Sequence, residues 1–220
     1  MNTLSEKLFT EYLNQQNVDW EYEKKFNDIP QLIDFYIHVG KTDIFAEVKE
    51  FDQDLLFKEA IKNPGKAVGG SIDQYKPIRE KIIQARIKFQ RYKNFPCVLV
   101  LYNKYFTDLS NITIAGAMYG DIAYDFSIPI DQQKEPTLGS IFFHERGKMR
   151  RVKSGNEMIY NTTISAIAVL ENKWPENIIR LRVIHNYYAR KPIYDDDIFI
   201  GEYDEHYRSN KDGNLLLYKR

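Results

Sequence analysis

Two short apolar segments separated by a glycine-containing turn constrain the fold of this chain more than any other feature. Residues 32–37 and 43–51 are rich in β-branched and aromatic side chains, and Gly40-Lys41 stands between them. A two-residue turn of type II′ has glycine at its first position, so the sequence predicts an antiparallel hairpin. Because the residues that flank the turn face each other, the numbers of every facing pair add up to 81.

This register predicts that two acidic side chains face each other inside the apolar hairpin. Asp34 lies opposite Glu47, with Cβ atoms about 5 Å apart. Lys49 is two residues from Glu47 and shares its face. The surrounding side chains are apolar, so the charges lie within a buried sheet, where charged groups are costly and are commonly functional. The alternative is an exposed cross-strand cluster of ion pairs on a surface hairpin.

Two close carboxylates require a neutralising cation, and a divalent ion is the usual one. Mg²⁺ takes oxygen ligands from carboxylates, waters and substrate phosphates. A neighbouring ammonium would orient a water molecule and offset the charge that develops on a phosphate. The three side chains therefore predict metal-assisted hydrolysis of a phosphodiester.

The elements around the hairpin are predicted in the order α-β-β-β-α-β. Apolar residues at helical spacing predict a first helix over residues 4–16, and alternation predicts a strand over 18–22. The apolar run 97–102 predicts a strand buried on both faces. Before it, the clearest helix of the chain carries one apolar stripe, formed by Ile78, Ile82, Ala85, Phe89 and Tyr92.

Asp34, followed after twelve residues by Glu47-Val48-Lys49 on a hairpin, in this order of elements, resembles the PD-(D/E)XK nuclease superfamily. Restriction endonucleases, Holliday-junction resolvases and repair nucleases belong to it. The resemblance covers residues 1–103, and Ile33 stands where some members have proline.

The resemblance implies an α/β fold with a restriction-endonuclease-like α-β-β-β-α-β core and a mixed central sheet. We treat the chain as a single domain over residues 1–220, in which 1–103 form the nuclease-like core and 104–220 form a β-rich extension packed on it. In the second half, apolar runs predict four strands, over residues 112–117, 140–143, 163–170 and 179–184.

The resemblance also implies roles for the hairpin residues. Asp34 and Glu47, with the carbonyl of Val48, would bind Mg²⁺ or Mn²⁺, and Lys49 would position the attacking water. The expected activity is that of a Mg²⁺-dependent endonuclease acting on DNA. A catalytically inactive nucleic-acid-binding or scaffold protein with the same fold is the alternative, and an unrelated α/β ligand-binding domain is a further one.

Members of the superfamily often add an acidic residue from the first helix. At 100° per residue, the apolar arc of this helix runs from about 80° to 220°, Glu6 falls at about 240°, and Glu11 falls near 20°. Glu6 is therefore the preferred fourth catalytic residue, and Glu11 should face solvent. Alternatively, Glu6 is a solvated glutamate favoured by the helix dipole.

Charge is unevenly distributed although the chain holds 31 basic and 31 acidic residues. Residues 76–93 contain seven basic residues and one acidic residue, and residues 146–153 contain five basic residues and no acidic one. Such clusters contact phosphates in nucleic-acid-binding proteins, although a solvated helix face has the same composition. The residues predicted to contact DNA are Lys76, Arg79, Arg86, Arg146, Lys148 and Arg150.

The remaining features bound the class of protein. One cysteine excludes a disulfide scaffold, and the scattered histidines do not predict a zinc site. No apolar run approaches 18 residues and the first residues lack the pattern of a signal peptide, so we expect a cytoplasmic protein without a membrane partner. The resemblance further implies a homodimer, since cutting two strands commonly requires two sites.

Overall fold

The computed structural model of the protein describes most of its residues. They are 3–26, 32–51, 62–63, 73–104, 109–130, 135, 137–144, 146–153, 156–173, 178–193, 199–210 and 215–218.

Three α-helices and twelve strands form within the described ranges. The helices are α1 (Leu4–Gln15), α2 (Lys76–Phe89), which continues into a 3₁₀ turn (Gln90–Tyr92), and α3 (Asn111–Tyr119). The strands are β1 (Asp19–Tyr22), β2 (Phe35–Val39), β3 (Thr42–Glu50), β4 (Cys97–Tyr102), β5 (Asp121–Ser127), β6 (Thr137–His144), β7 (Arg150–Lys153), β8 (Asn156–Ile159), β9 (Ala166–Lys173), β10 (Ile178–His185), β11 (Glu205–Ser209) and β12 (Leu215–Tyr218).

Eight strands form one mixed sheet in the order β1-β2-β3-β4-β9-β10-β11-β12. Strand β4 pairs in parallel with both β3 and β9, and β10 pairs in parallel with β11. The other neighbours in the sheet are antiparallel. Strands β5 and β6, and likewise β7 and β8, form separate antiparallel pairs. The protein is therefore an α/β protein built on a mixed sheet, as the sequence predicts.

The register of the β2–β3 hairpin is confirmed. Val39 faces Thr42 and Phe35 faces Ala46, so facing residue numbers add up to 81. Gly40 has a φ of 59°, in the left-handed region that glycine adopts without strain. Turn chemistry thus determines which side chains of the hairpin share a face.

The two faces of the sheet carry separate cores. Helix α1 packs on one face, against side chains such as Ala46 and Val48 of β3. Helices α2 and α3 pack on the other face, where Phe45 joins the core. Because side chains alternate along a strand, Glu47 and Lys49 lie on the α2 face.

The second predicted helix is confirmed in position and in orientation. The five residues of its apolar stripe are buried, with exposed fractions of 1% or less. Pro77 lies in the first turn of α2, where its missing N–H leaves no helical hydrogen bond unmade. Strand β4 spans the predicted residues 97–102.

The strand predicted over residues 112–117 is wrong, because this segment belongs to helix α3. The Ser110 side chain caps the helix by accepting a hydrogen bond from the backbone N–H of Thr113, and the helix ends at Gly120, whose φ is 132°. Residues 113–119 are all buried, so the segment has no polar face that would reveal a helical period. β-branched residues in a short apolar run then favoured the strand.

Of the other strands predicted in the second half, two are confirmed and one starts later than predicted. Strands β6 and β10 contain the predicted 140–143 and 179–184, whereas β9 starts at Ala166, after a turn at residues 162–163. No described helix is both long and apolar enough to cross a membrane.

Candidate active site

The end of the β2–β3 hairpin brings the two predicted acidic residues together. Asp34 immediately precedes β2, and its Oδ2 accepts a hydrogen bond of 2.9 Å from the backbone N–H of Val48 on β3. This hydrogen bond therefore joins the two strands just beyond their last backbone pair. Glu47 lies one residue before Val48 and points to the α2 face.

Both carboxylates are withdrawn from solvent. Glu47 has no exposed surface, and Asp34 is 9% exposed. Oε2 of Glu47 receives no hydrogen bond from any described residue. A buried carboxylate oxygen without a donor is costly, and a cation is the partner that would satisfy it.

Two ammonium groups reach the acid pair from different elements. Lys49 Nζ lies 2.5 Å from Glu47 Oε1 and comes from the same strand. Lys88 Nζ comes from α2 and lies 2.6 Å from Glu47 Oε1 and 3.2 Å from Asp34 Oδ1. Lys88 thus bridges the two carboxylates. We call these four side chains the acid–lysine cluster.

Burial and neighbouring charges both shift the pKa values of Glu47 and Lys88 in the acid–lysine cluster. Burial raises the pKa of Glu47, and repulsion from Asp34 raises it further, against the opposing effect of the two lysines. Burial alone would lower the pKa of Lys88, but the carboxylates of Glu47 and Asp34 outweigh burial and raise that pKa. The two negative and two positive formal charges cancel.

The donors at this point of the sheet suit a small divalent cation. The N–H of Val48 points towards Asp34, and the carbonyl of the same residue points to the same side of the strand. Two carboxylates and one carbonyl are hard oxygen ligands of the kind that Mg²⁺ and Mn²⁺ take. Among the described residues, no group of three or more His, Cys, Asp or Glu side chains is placed to hold a metal, so waters or a substrate would complete this coordination.

Glu6 lies in the first turn of α1, the helix that packs on the sheet face opposite to α2. Its carboxylate accepts a hydrogen bond of 3.1 Å from the N–H of Thr3, while its own N–H donates to Thr3 Oγ1, which is a capping box. Glu6 also contributes to a raised pKa of Tyr22, after burial. The structure thus gives Glu6 a capping function, and its catalytic function stays a prediction. Glu11 is exposed, as predicted.

The basic residues of α2 are less exposed than the sequence predicts. Arg79 is buried, and its guanidinium donates to Asp121 Oδ1 at 2.5 Å and to the Gly116 carbonyl at 3.2 Å. Arg79 is therefore not part of a solvated helix face, because α3 and β5 supply acceptors for it. Lys76 is exposed and Arg86 is half-buried.

The second basic stretch comes close to the start of α2. Burial lowers the pKa of Lys148, and repulsion from Arg79 and Arg151 lowers it further, so these three cations are near neighbours. Arg146 is exposed, and Arg150 pairs with Glu157 at 2.5 Å. Arg79 precedes Lys88 by nine residues, which corresponds to about 13 Å along a helix.

The sequence does not predict Lys88 as a site residue, because Lys88 is one of seven basic residues in the stretch 76–93. A signal was present, because Lys88 lies about 80° from the centre of the apolar stripe, at the edge of the buried face. A lysine at that edge reaches along the sheet surface with its four-carbon stem. The sequence of the helix alone does not show which strand lies under that edge.

The sequence also predicts a possible helical turn at residues 55–61, in the loop after β3, and this segment lies outside the described residues. Comparison of the chain with protein-family models, with curated proteins and with solved structures finds no match.

Proposed function

We propose that the protein is a metal-dependent nuclease that hydrolyses phosphodiester bonds in DNA, with a restriction-endonuclease-like core over residues 1–103. The observation that carries this proposal is the convergence of two buried carboxylates and Lys49 at the end of one hairpin. Glu47 is held there, fully buried, although both burial and Asp34 oppose its charge. Groups held at such a disadvantage are commonly functional.

The residues that would hold Mg²⁺ or Mn²⁺ are Asp34 and Glu47, with the carbonyl of Val48. The ion would supply Lewis-acid polarisation of a phosphoryl oxygen and charge neutralisation at the acid pair. Asp34 Oδ1 and Glu47 Oε1 both lie close to one point, the ammonium of Lys88, at 3.2 Å and 2.6 Å. The hairpin therefore brings one oxygen of each carboxylate together before any ligand arrives.

Lys49 would act on the attacking water and on the phosphate. Its ammonium can donate three hydrogen bonds, and one is directed to Glu47 Oε1. The others would hold a water for attack and stabilise the negative charge that builds up on the phosphate. Lys49 remains about one quarter exposed, so a substrate can reach it from solvent.

Basic residues of α2 and of the stretch 146–153 would contact the DNA backbone. Lys76 and Arg146 are exposed and bring positive charge to the protein surface, whereas Arg79 is committed to Asp121. Binding through such contacts weakens as salt concentration rises. A homodimer and a cytoplasmic location remain predictions from the sequence.

A non-catalytic DNA-binding or scaffold function is the second candidate, and one observation favours it. The acid–lysine cluster is electrically neutral without a metal, so it is a complete ion-pair cluster in its own right. A cleavage assay with variants that keep the side-chain volumes separates the two functions.

Purified protein should be incubated with plasmid and branched DNA in Mg²⁺ or Mn²⁺, alongside Lys49→Met, Asp34→Asn and the exposed turn variant Lys41→Met. We expect cleavage by wild type and Lys41→Met, and at least about a 100-fold loss of rate in the two site variants. DNA binding at low salt should persist in all four proteins.

Binding without cleavage by any of these proteins would favour the scaffold function. Absence of DNA binding at low salt would contradict both nucleic-acid functions. Equal cleavage by wild type and Asp34→Asn would show that any nuclease activity lies elsewhere.

A further inference from the structure

The ammonium of Lys88 lies in the position that a metal ion shared by the two carboxylates would take. It is 3.2 Å from Asp34 Oδ1 and 2.6 Å from Glu47 Oε1. A divalent ion coordinated by both side chains requires the same space between them. Two cations repel each other strongly at such distances, so the metal and the ammonium exclude each other.

The side chains of the cluster differ in their freedom to move. Glu47 is fully buried on a central strand, and Asp34 is held by the Val48 N–H. Lys88 has 27% of its side chain exposed and lies in the last turn of α2. Its flexible stem lets the ammonium leave while the carboxylates stay in place.

We infer that Lys88 is an internal cation that the divalent metal displaces, and that the displaced ammonium then binds a substrate phosphate. This inference rests on the proposed function. Lys88 is a positioning residue for the metal, because it keeps the acid pair neutral and correctly spaced while no metal is bound. It becomes a phosphate contact once the metal has entered.

Charge counting shows why the two events are coupled. With Lys88 between the carboxylates the cluster is neutral, and with a divalent ion in its place the carboxylates, Lys49 and the metal carry a net charge of about +1. The displaced ammonium adds a further positive charge nearby. A phosphate diester neutralises this excess, so metal and DNA should each strengthen the binding of the other.

Direct titration with Mn²⁺, followed by electron paramagnetic resonance, tests the displacement without relying on activity. We expect Lys88→Met to bind Mn²⁺ about tenfold more tightly than wild type, because the competing cation is gone. Lys88→Arg, which keeps the charge, should bind no more tightly than wild type. The exposed Lys93→Met is the matched control and should bind as wild type does, while Asp34→Asn should lose the site.

The coupling is tested in the Lys49→Met background, where a duplex oligonucleotide should remain intact. Duplex DNA should tighten Mn²⁺ binding about fivefold in Lys49→Met, and clearly less in the Lys49→Met/Lys88→Met double variant. Equal tightening in both proteins would overturn the phosphate contact.

If Lys88→Met does not fold, the displacement is tested instead by NMR of wild-type protein with ¹³Cε-labelled lysine. The Lys88 signal is the one that is missing from the spectrum of Lys88→Arg. Addition of Mg²⁺ to the wild-type protein should move this signal towards the position of solvent-exposed lysines. An unmoved signal at saturating Mg²⁺ would overturn the displacement.

The outcomes separate this inference from the proposed function. Equal or weaker Mn²⁺ binding by Lys88→Met, with the site still dependent on Asp34, overturns the inference and leaves the nuclease proposal standing. Absence of any Mn²⁺ binding that depends on Asp34 overturns both.

Discussion

At the scale of single residues, Glu47 is under opposing constraints of burial and charge. It is fully buried on β3, beside a second carboxylate, and its pKa is raised mainly by burial. The lysines on either side reduce this effect without removing it. The charged form of Glu47 therefore opposes folding at neutral pH.

Glu47→Gln should consequently stabilise the metal-free protein. A neutral side chain of the same size avoids the burial of charge, and we expect the free energy of unfolding at pH 7 to rise. Urea unfolding followed by circular dichroism measures the difference, with the exposed Glu11→Gln as a control that should shift by less than about 0.5 kcal/mol. A clear loss of stability in Glu47→Gln would instead identify the cluster as a structural ion-pair network.

The acid pair was predictable from sequence because a two-residue turn fixes the register of a hairpin. Once Gly40 and Lys41 form the turn, the facing of Asp34 and Glu47 follows from counting. Lys88 was not predictable in the same way. Its place depends on how α2 is rotated and seated over the sheet, which is a property of tertiary packing.

At the scale of elements, helix α2 was predicted correctly because one of its faces is polar, whereas helix α3 was not because it has no polar face. Helix α2 has an apolar stripe and a charged back, and its limits were visible in the sequence. Helix α3 is buried nearly all round, so its period was hidden and a strand was predicted. Strand β8, which pairs with β7 outside the main sheet, carries mostly exposed side chains, so it has no apolar alternation to detect.

Three strands in the second half are joined by ion pairs on their surface. Arg180 on β10 contacts Glu171 on β9 at 2.6 Å and Glu205 on β11 at 2.8 Å. Burial opposes the charge of Glu205, but hydrogen bonds from Tyr207 and Arg180 outweigh burial and lower its pKa below the usual 4.5. This carboxylate therefore stabilises the folded state when it is ionised.

The stabilisation by Glu205 should depend on pH in a defined direction. Its contribution is fully present above pH 4.5, the ordinary value of the unfolded chain, and is lost as the pH falls through the lower folded pKa. Glu205→Gln should lower the free energy of unfolding by about 0.5–1 kcal/mol at pH 6 and by progressively less on acidification. Urea titrations at pH 6 and at pH 3 measure this, with the exposed Glu202→Gln as control, and an equal loss at both pH values would contradict it.

At the scale of the whole molecule, both halves of the sequence contribute to one sheet. Strand β9 pairs with β4 along its length, and the N–H of Cys97 donates to Ser165 Oγ while its carbonyl accepts from the N–H of Ser165. Tyr12 of α1 donates to Asp204, which lies immediately before β11. The segment 1–103, for which we predict a nuclease-like core, thus shares its interior with residues beyond it.

A fragment of residues 1–103 should for this reason fail to fold. It would expose the edge of β4, which is apolar on both faces, and would leave both cores without β9 and β10. We expect an aggregated or unfolded fragment, without the dispersed NMR spectrum of the full chain. Cooperative thermal unfolding of the isolated fragment would show that the first half is an independent unit.

The two oxygens of Asp34 have separate tasks, and this affects how related sequences should be interpreted. Oδ2 accepts from Val48 and extends the hairpin, while Oδ1 faces Lys88. An asparagine side chain offers only one oxygen acceptor, and a glutamate side chain is longer by a methylene. Aspartate therefore suits the hairpin even if it takes no part in a reaction. If the proposed nuclease function were lost in a related sequence, Asp34 would still be favoured for its backbone contact. Glu47 has no such contact and its charged form opposes folding, so Glu47 in a related sequence would be the stronger indication of the proposed activity.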